Sequence, residues 1–242
     1  MAVRCEVSGD GGNLLATLSG DLVLADSADL REQLLKCLAE QPDALLVDLS
    51  ALRVAQPLAL SIFRVVLRQA ARWPGTPILF CASGRDTRKL LTTAANHTLP
   101  LYASVAAALA HLHDERRTMP SISEELLPVA GSTRHGRDIA TEACIRWDLP
   151  DLVAPASLIV TELVANVVDH AHTMMTLRLS LRQRYLNIAV RDGSSHPPVP
   201  ALGVTPQAAN GRGLLLVNEL AYHWGHLPST GGKVVWAALR RP

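Results

Sequence analysis

Leu158-Ile-Val-Thr-Glu162-Leu-Val-Ala-Asn166-Val-Val-Asp169-His170-Ala171 is the stretch on which the reading of this chain turns. Its Leu, Ile, Val and Ala background predicts a helix packed on most sides, yet Glu162 and Asn166 stand four residues apart and so project from one face. Asp169 and His170, at i+7 and i+8 from Glu162, continue that polar stripe. A carboxylate or amide buried there without a partner costs about 1–3 kcal/mol, so the fold has to supply a hydrogen-bonding mate, a water, or a bound metal and ligand. Taken alone, the pair fits a satisfied polar contact inside a core as well as it fits a site. The residues that decide between the two lie downstream.

Segments 176–181 and 186–190 alternate in hydrophobicity and predict neighbouring strands, the second of which delivers Arg191-Asp192-Gly193-Ser194 to its end. From Ser195 to Asn210 the chain is rich in proline and alanine and has little periodicity, the composition of a loop, and such loops often serve as lids. Gly211-Arg212-Gly213-Leu214-Leu-Leu-Val217 then opens an apolar helix. Glycines let backbone approach a ligand closely, and the free N–H groups and dipole of a helix start favour a phosphate. A lone Gly-x-Gly is weak by itself. Strands over 221–227 and 233–239, joined through Gly231-Gly232, complete this half. Ahead of the central helix, the pattern predicts an edge strand over 123–129 and a helix over 131–147 that stops at Leu149-Pro150.

Glu-x-x-x-Asn on a helix, Asp-Gly-Ser after a strand, a proline-rich lid and then Gly-Arg-Gly-Leu before a helix together resemble the Bergerat-type ATPase fold shared by gyrase, the heat-shock chaperone, histidine kinases and mismatch-repair proteins. The likeness is strongest to the anti-sigma-factor serine kinases and covers residues 121–242. The resemblance implies a two-layer α/β sandwich that binds ATP and Mg²⁺. By that resemblance Asn166 would hold Mg²⁺ through its amide oxygen, a hard donor for a hard cation. Glu162 would be the general base, Asp192 would accept the adenine amino hydrogen, and Gly211, Gly213 and Leu214 would offer backbone N–H groups to phosphates, with Arg212 offsetting charge. His170 would lie near the phosphates or steady the lid; a hydrogen-bonded histidine at a helix end fits it equally. Two departures stand out. Asp-Gly-Ser replaces the longer Asp-x-Gly-x-Gly of the superfamily, and Val234 occupies the place expected to hold a threonine that supports the aspartate.

Working toward the N-terminus, Asp114-Glu-Arg-Arg117-Thr-Met-Pro120-Ser breaks the apolar pattern with charge and proline and marks a domain boundary. Before it, strands over 3–7 and 14–19 flank the turn cluster Gly9–Asn13, and Gly20-Asp21 is expected to end the second. A helix capped by Asp26 or Ser27, a short apolar strand over 44–48, a helix over 58–71, a strand over 77–81 and helices over 85–95 and 104–116 complete an α/β sheet layer. Asp48-Leu49-Ser50-Ala51-Leu52 resembles the STAS domains, the anti-sigma-factor antagonists, across residues 1–115. In that family the strand leads through a loop to Asp-Ser-Ser-Gly-Leu, where a serine is phosphorylated. Here Gln56, Pro57, Leu58, Ala59 and Leu60 fall on the motif, with Leu58 at the acceptor place, so no hydroxyl is available there.

The 242 residues suffice for two domains of roughly 115 residues, and with 48% hydrophobic residues each half can bury a core. A net charge of +1 offers no electrostatic reason to expect nucleic acid or an anionic membrane as a partner. Cys5, Cys37, Cys81 and Cys144 have no zinc-site or disulfide spacing and read as free thiols. The charged N-terminus and the lack of an uninterrupted apolar run of ~18 residues lead to the expectation of a soluble, cytoplasmic protein.

Two functions follow from the resemblance. One is an ATP-dependent serine/threonine protein kinase of the anti-sigma type that phosphorylates a partner STAS antagonist and so regulates a sigma factor and transcription, its own STAS half serving docking or regulation, with a homodimer an open possibility. The other is a non-catalytic switch whose nucleotide state gates the sequestration of a sigma factor or an antagonist. Glu162 and Asn166 favour the first, and the residues at 56–59 and Val234 favour the second.

Overall fold

Asp10 pairs with Asn13 across the glycine turn, and Gly12 takes a φ of +88°, where an added Cβ would also meet the Asp43 carboxylate. This turn joins β1 (Arg4–Asp10) to β2 (Asn13–Leu22) as an antiparallel hairpin in the computed structural model, which describes residues 3–10, 12–73, 75–82, 84–92, 99–115, 120–198 and 213–242. Rather than ending at Gly20-Asp21, β2 runs on to Leu22. Gly20 adopts a φ of +97° inside the strand, next to a register break between Thr17 and Ser19, so the glycine accommodates a bulge instead of a stop.

α1 (Ser27–Ala39) then crosses to β3 (Leu45–Val54), α2 (Ser61–Arg72) to β4 (Ile78–Cys81), and α3 (Arg85–Leu91) to β5 (Leu101–Tyr102), with α4 (Val105–Glu115) last. The sheet order is β1-β2-β3-β4-β5, parallel from β2 onward. As its unbroken apolar run predicts, β3 is buried on both faces. Leu45, Val47 and Leu49 join Leu34, Phe63 and Phe80 in one core, while Leu46 joins Leu79, Ala108 and Leu112 on the other side. The strand outlasts the expected end at Asp48 by six residues, to Val54, because β2 continues beside it. The helix expected from Leu58 starts at Ser61, after a 3₁₀ turn over Pro57–Leu60. Residues 93–95, the expected end of the third helix, lie outside the described residues.

The chain divides into two compact units, Met1–Arg117 and Thr118–Pro242. In the second, β6 (Ser121–Leu126), β7 (Met175–Leu181), β8 (Tyr185–Asp192), β9 (His223–Ser229) and β10 (Gly232–Arg240) form an antiparallel sheet in the order β6-β7-β8-β10-β9. Strands β6 and β9 are each offset by about two residues from the spans the pattern predicts, the usual error at strand ends.

Helices α5 (Gly131–Arg146), α6 (Val153–Asn166) and α7 (Gly213–Leu220) share a core with one face of this sheet. Ala140 and Ala143 of α5, Ile159 and Leu163 of α6 and Val217 of α7 pack with Leu177, Ile188, Val190, Val235 and Ala237. Gly136 brings α5 close to α6, since an added Cβ would stand 2.9 Å from Val160 Cγ1. By length and composition the helical stretch Pro150–Ala171 could cross a membrane; here Ile159, Val160, Leu163 and Val164 lie in this core. The architecture is α/β throughout, a mixed sheet flanked by helices followed by a two-layer sandwich.

Candidate functional site

Glu162 and Asn166 sit on the last turns of α6, both half-buried at the edge of its apolar face. Among the described residues neither side chain has a hydrogen-bonding partner. Burial without a partner raises the Glu162 carboxyl above the ordinary carboxylate range. Directly after Asn166 the helix widens into a π turn over Val167–Ala171, closed by a hydrogen bond of 2.8 Å that the His172 N–H donates to the Val167 carbonyl. His172 ends it in the left-handed region at φ +54°. Turns of this kind are frequent at functional sites. The extra residue ends the polar stripe at Asn166, because Asp169 and His170 both turn out to solvent. Sequence spacing at 3.6 residues per turn predicts all four on one line, and the wider turn is why they are not.

The start of α7 lies against Glu162. A Cβ added to Gly213 would fall 2.3 Å from Glu162 Oε2 and 3.4 Å from its Cβ, so this position brings bare backbone up to the carboxylate. Leu214, the next residue, is buried in the shared core and anchors the helix start. Gly211, Arg212 and the lid over 195–210 beyond Pro198 lie outside the described residues.

Asp192 is the last residue of β8 and is 3% exposed, which for a carboxylate demands compensation. Its Oδ1 accepts hydrogen bonds from the Ser194 N–H (2.8 Å) and from Lys233 Nζ (2.9 Å). Nζ also lies 2.9 Å from Oδ2, but Oδ2 has no aligned donor among the described residues. The turn that carries Asp192 is held on both sides. Gly193 N–H donates to Thr173 Oγ1 at 2.9 Å, and a Cβ on Gly232 would strike the Asp192 carbonyl at 1.9 Å.

Lys233 and Thr173 are the residues that sequence reasoning missed. Asp192 and Lys233 are charges of opposite sign at the ends of two mostly apolar strands, and that is the signal that could have paired them. The register also corrects the reading of Val234. Lys233 lies directly opposite Asp192, whereas Val234 lies opposite Arg191. Side chains alternate faces along a strand, so Val234 points to the face away from the carboxylate, and a hydroxyl there would not reach it. The supporting position is 233.

Two family models match the chain, one in each unit. Residues 129–239 match the family model of the histidine kinase-like ATPase domain and residues 4–108 that of the STAS domain. No curated protein matches the chain. Among solved structures, an anti-sigma factor antagonist from Mycobacterium paratuberculosis is similar at 24% identity, covering 47% of this chain and 96% of that one, with a TM-score of 0.42. RsbS from Moorella thermoacetica, in a glutamate-for-serine variant, is similar at 17% identity over 48% of this chain and 99% of that one, with a TM-score of 0.40. By these two matches, over residues 4–108 and 129–239, the chain is a STAS domain followed by a histidine kinase-like ATPase domain.

Proposed function

We propose that residues 121–242 bind ATP with Mg²⁺ and phosphorylate a serine or threonine of a separate STAS antagonist in the cytoplasm, with residues 1–115 as the docking or regulatory module. The observation that carries this reading is Glu162. It is a carboxyl with no partner among the described residues, raised by desolvation, one helical turn from Asn166 and in contact with the glycine that starts α7. A raised carboxyl is the stronger base, and a base with nothing else to bond is free to take a proton.

The donor set fits the nucleotide and the cation. Asp192 Oδ2 is a buried acceptor without an aligned donor, suited to an exocyclic amine of adenine. Asn166 offers one amide oxygen, and Mg²⁺ commonly takes few protein ligands and fills its shell with water and phosphate oxygens. Among the described residues no cluster of three or more acidic, histidine or cysteine side chains provides an alternative metal site. Bound ATP and Mg²⁺ would supply the electrophilic phosphoryl group. Around it, Gly211, Gly213 and Leu214 would donate backbone N–H groups, Arg212 would balance charge, the exposed His170 would steady the lid, and Glu162 would take the proton of the acceptor hydroxyl.

A second reading, a switch that binds a sigma factor or antagonist without transferring phosphate, is favoured by Leu58. It is 78% exposed at the place expected for the acceptor serine and offers an apolar surface instead of a hydroxyl. Incubation of the purified protein with labelled ATP, Mg²⁺ and candidate STAS proteins separates the two. Kinase function requires label on a partner serine, and Glu162→Gln should slow its appearance by about a hundredfold or more. No transfer to any partner, with ATP still changing the affinity for one of them, would establish the switch.

A further inference from the structure

We infer that Lys233 is the positioning residue that makes Asp192 a reader of the nucleobase: its ammonium balances the carboxylate charge and, with the Ser194 N–H, fixes the carboxylate so that Oδ2 keeps a lone pair for an exocyclic amine. This rests on the nucleotide reading above and adds the residue on which base discrimination depends.

Asp192 and Lys233 have side chains 0% and 6% exposed, so neither charge is offset by water. Isolated charges at such depth are unstable, and paired ones persist only when geometry and additional hydrogen bonds are good. Here the geometry is specific. Lys233 lies across from Asp192 in the β8–β10 register, Nζ bonds Oδ1 at 2.9 Å, and Nζ lies 3.4 Å from the Ser194 carbonyl. Ser194 N–H donates to the same Oδ1 at 2.8 Å. Two donors on Oδ1 fix the carboxylate rotamer. Oδ2 is buried, and although Nζ lies 2.9 Å from it as well, no donor is aligned with it among the described residues, so it retains acceptor capacity. A ligand N–H completes it.

The consequence is chemical selectivity. An anionic acceptor held in place welcomes the 6-amino group of adenine and repels a 6-oxo group. Remove the ammonium and the carboxylate loses its charge balance and one of the two donors that fix its orientation, so the placement that favours an amine over a carbonyl is lost. Lys233 therefore acts on discrimination between bases and not on affinity alone.

The test is calorimetric titration of the full chain with ATP and with ITP, which carries a carbonyl where ATP carries the amine. The parent should prefer ATP by at least about tenfold, the scale of one hydrogen bond to a charged group. Lys233→Met should bring the two nucleotides within about threefold of each other, whereas a merely structural lysine would weaken both in parallel. Lys233→Arg keeps the charge and should keep the preference for ATP. Should Lys233→Met fail to fold, Lys233→Gln retains a donor for Oδ1 without the charge, and its preference should fall by at least about threefold. An unchanged preference in the Met or Gln variant overturns the inference. So does ATP binding at least about tenfold tighter in Lys233→Met than in the parent, which would mean that the lysine obstructs the base. A parent that binds neither nucleotide removes the nucleotide reading itself and this inference with it.

Discussion

Glu162 is set apart from most acidic side chains of this protein by what surrounds it. Asp21, partly buried, and Glu32, exposed, are lowered by their hydrogen bonds to Arg53 and Lys36, the ordinary fate of a carboxylate near the surface. Glu162 has no such donor among the described residues and is raised by burial. The linkage follows with a definite sign. A carboxyl raised in the folded state binds its proton more tightly there than in the unfolded chain, so its contribution to stability is present below the unfolded value and declines as pH rises through the folded one. Glu162→Gln abolishes that decline. The melting temperature of the variant relative to the parent should therefore increase as pH goes from about 4 to about 7. Thermal scans at several pH values check this; a difference that stays constant over that range would mean that the carboxylate is not desolvated.

At the scale of elements, glycines set how closely the chain approaches itself. Gly136 lets α5 settle on α6 with Val160 Cγ1 at 2.9 Å and Val164 Cγ2 at 3.3 Å from where a Cβ would be. Gly136→Ala should destabilise by about 1–3 kcal/mol, the cost of overpacking a core, less the few tenths to 1 kcal/mol that alanine gains in a helix. Gly232→Ala meets backbone rather than a yielding side chain, the Asp192 carbonyl at 1.9 Å. It should be the more damaging of the two, and urea unfolding of both variants measures the order. A Gly232→Ala protein as stable as Gly136→Ala would contradict the tight closure of β10 on the Asp192 turn.

Much of this level was legible in the sequence, since helices α5 to α7 and strands β7, β8 and β10 fall where periodicity predicts them. Lys233 was not, for a physical reason. Its partnership with Asp192 depends on β8 and β10 being neighbours although α7 and β9 lie between them in the chain, and on a register that no local pattern encodes. The π turn after Asn166 was equally invisible, because Val167–Ala171 carries no proline or glycine to announce a change of pitch. At the other end of the chain, the extension of β3 to Val54 comes from pairing with β2 and carries the strand past its expected end at Asp48.

For the whole molecule, the burial of Cys37, Cys81 and Cys144 in three different hydrophobic cores implies that thiol chemistry should be quiet. Burial pushes Cys37 up to about 12 and Cys81 and Cys144 to about 11 from an ordinary 9.0. Thiols so placed stay protonated and unreactive near neutrality, and Cys5, the only one of the four that is not buried, is also raised. A thiol-titrating reagent at pH 8 should find at most one group in the native protein and four in denaturant. Stability should also fall as pH rises past 9.0 toward about 11, where the unfolded chain ionises thiols that the folded one keeps protonated. Rapid titration of three or more thiols without denaturant would show that the cores open readily.

If α6, the end of β8 and the start of α7 form one site for ATP and Mg²⁺, as proposed, calorimetry with and without the cation detects it. The expected result is ATP binding to the parent that is strengthened by Mg²⁺, abolished in Asp192→Ala, and retained without its Mg²⁺ dependence in Asn166→Ala. No heat of binding from any adenine nucleotide at about millimolar concentration, where a dissociation constant corresponds to only about −4 kcal/mol, would contradict it.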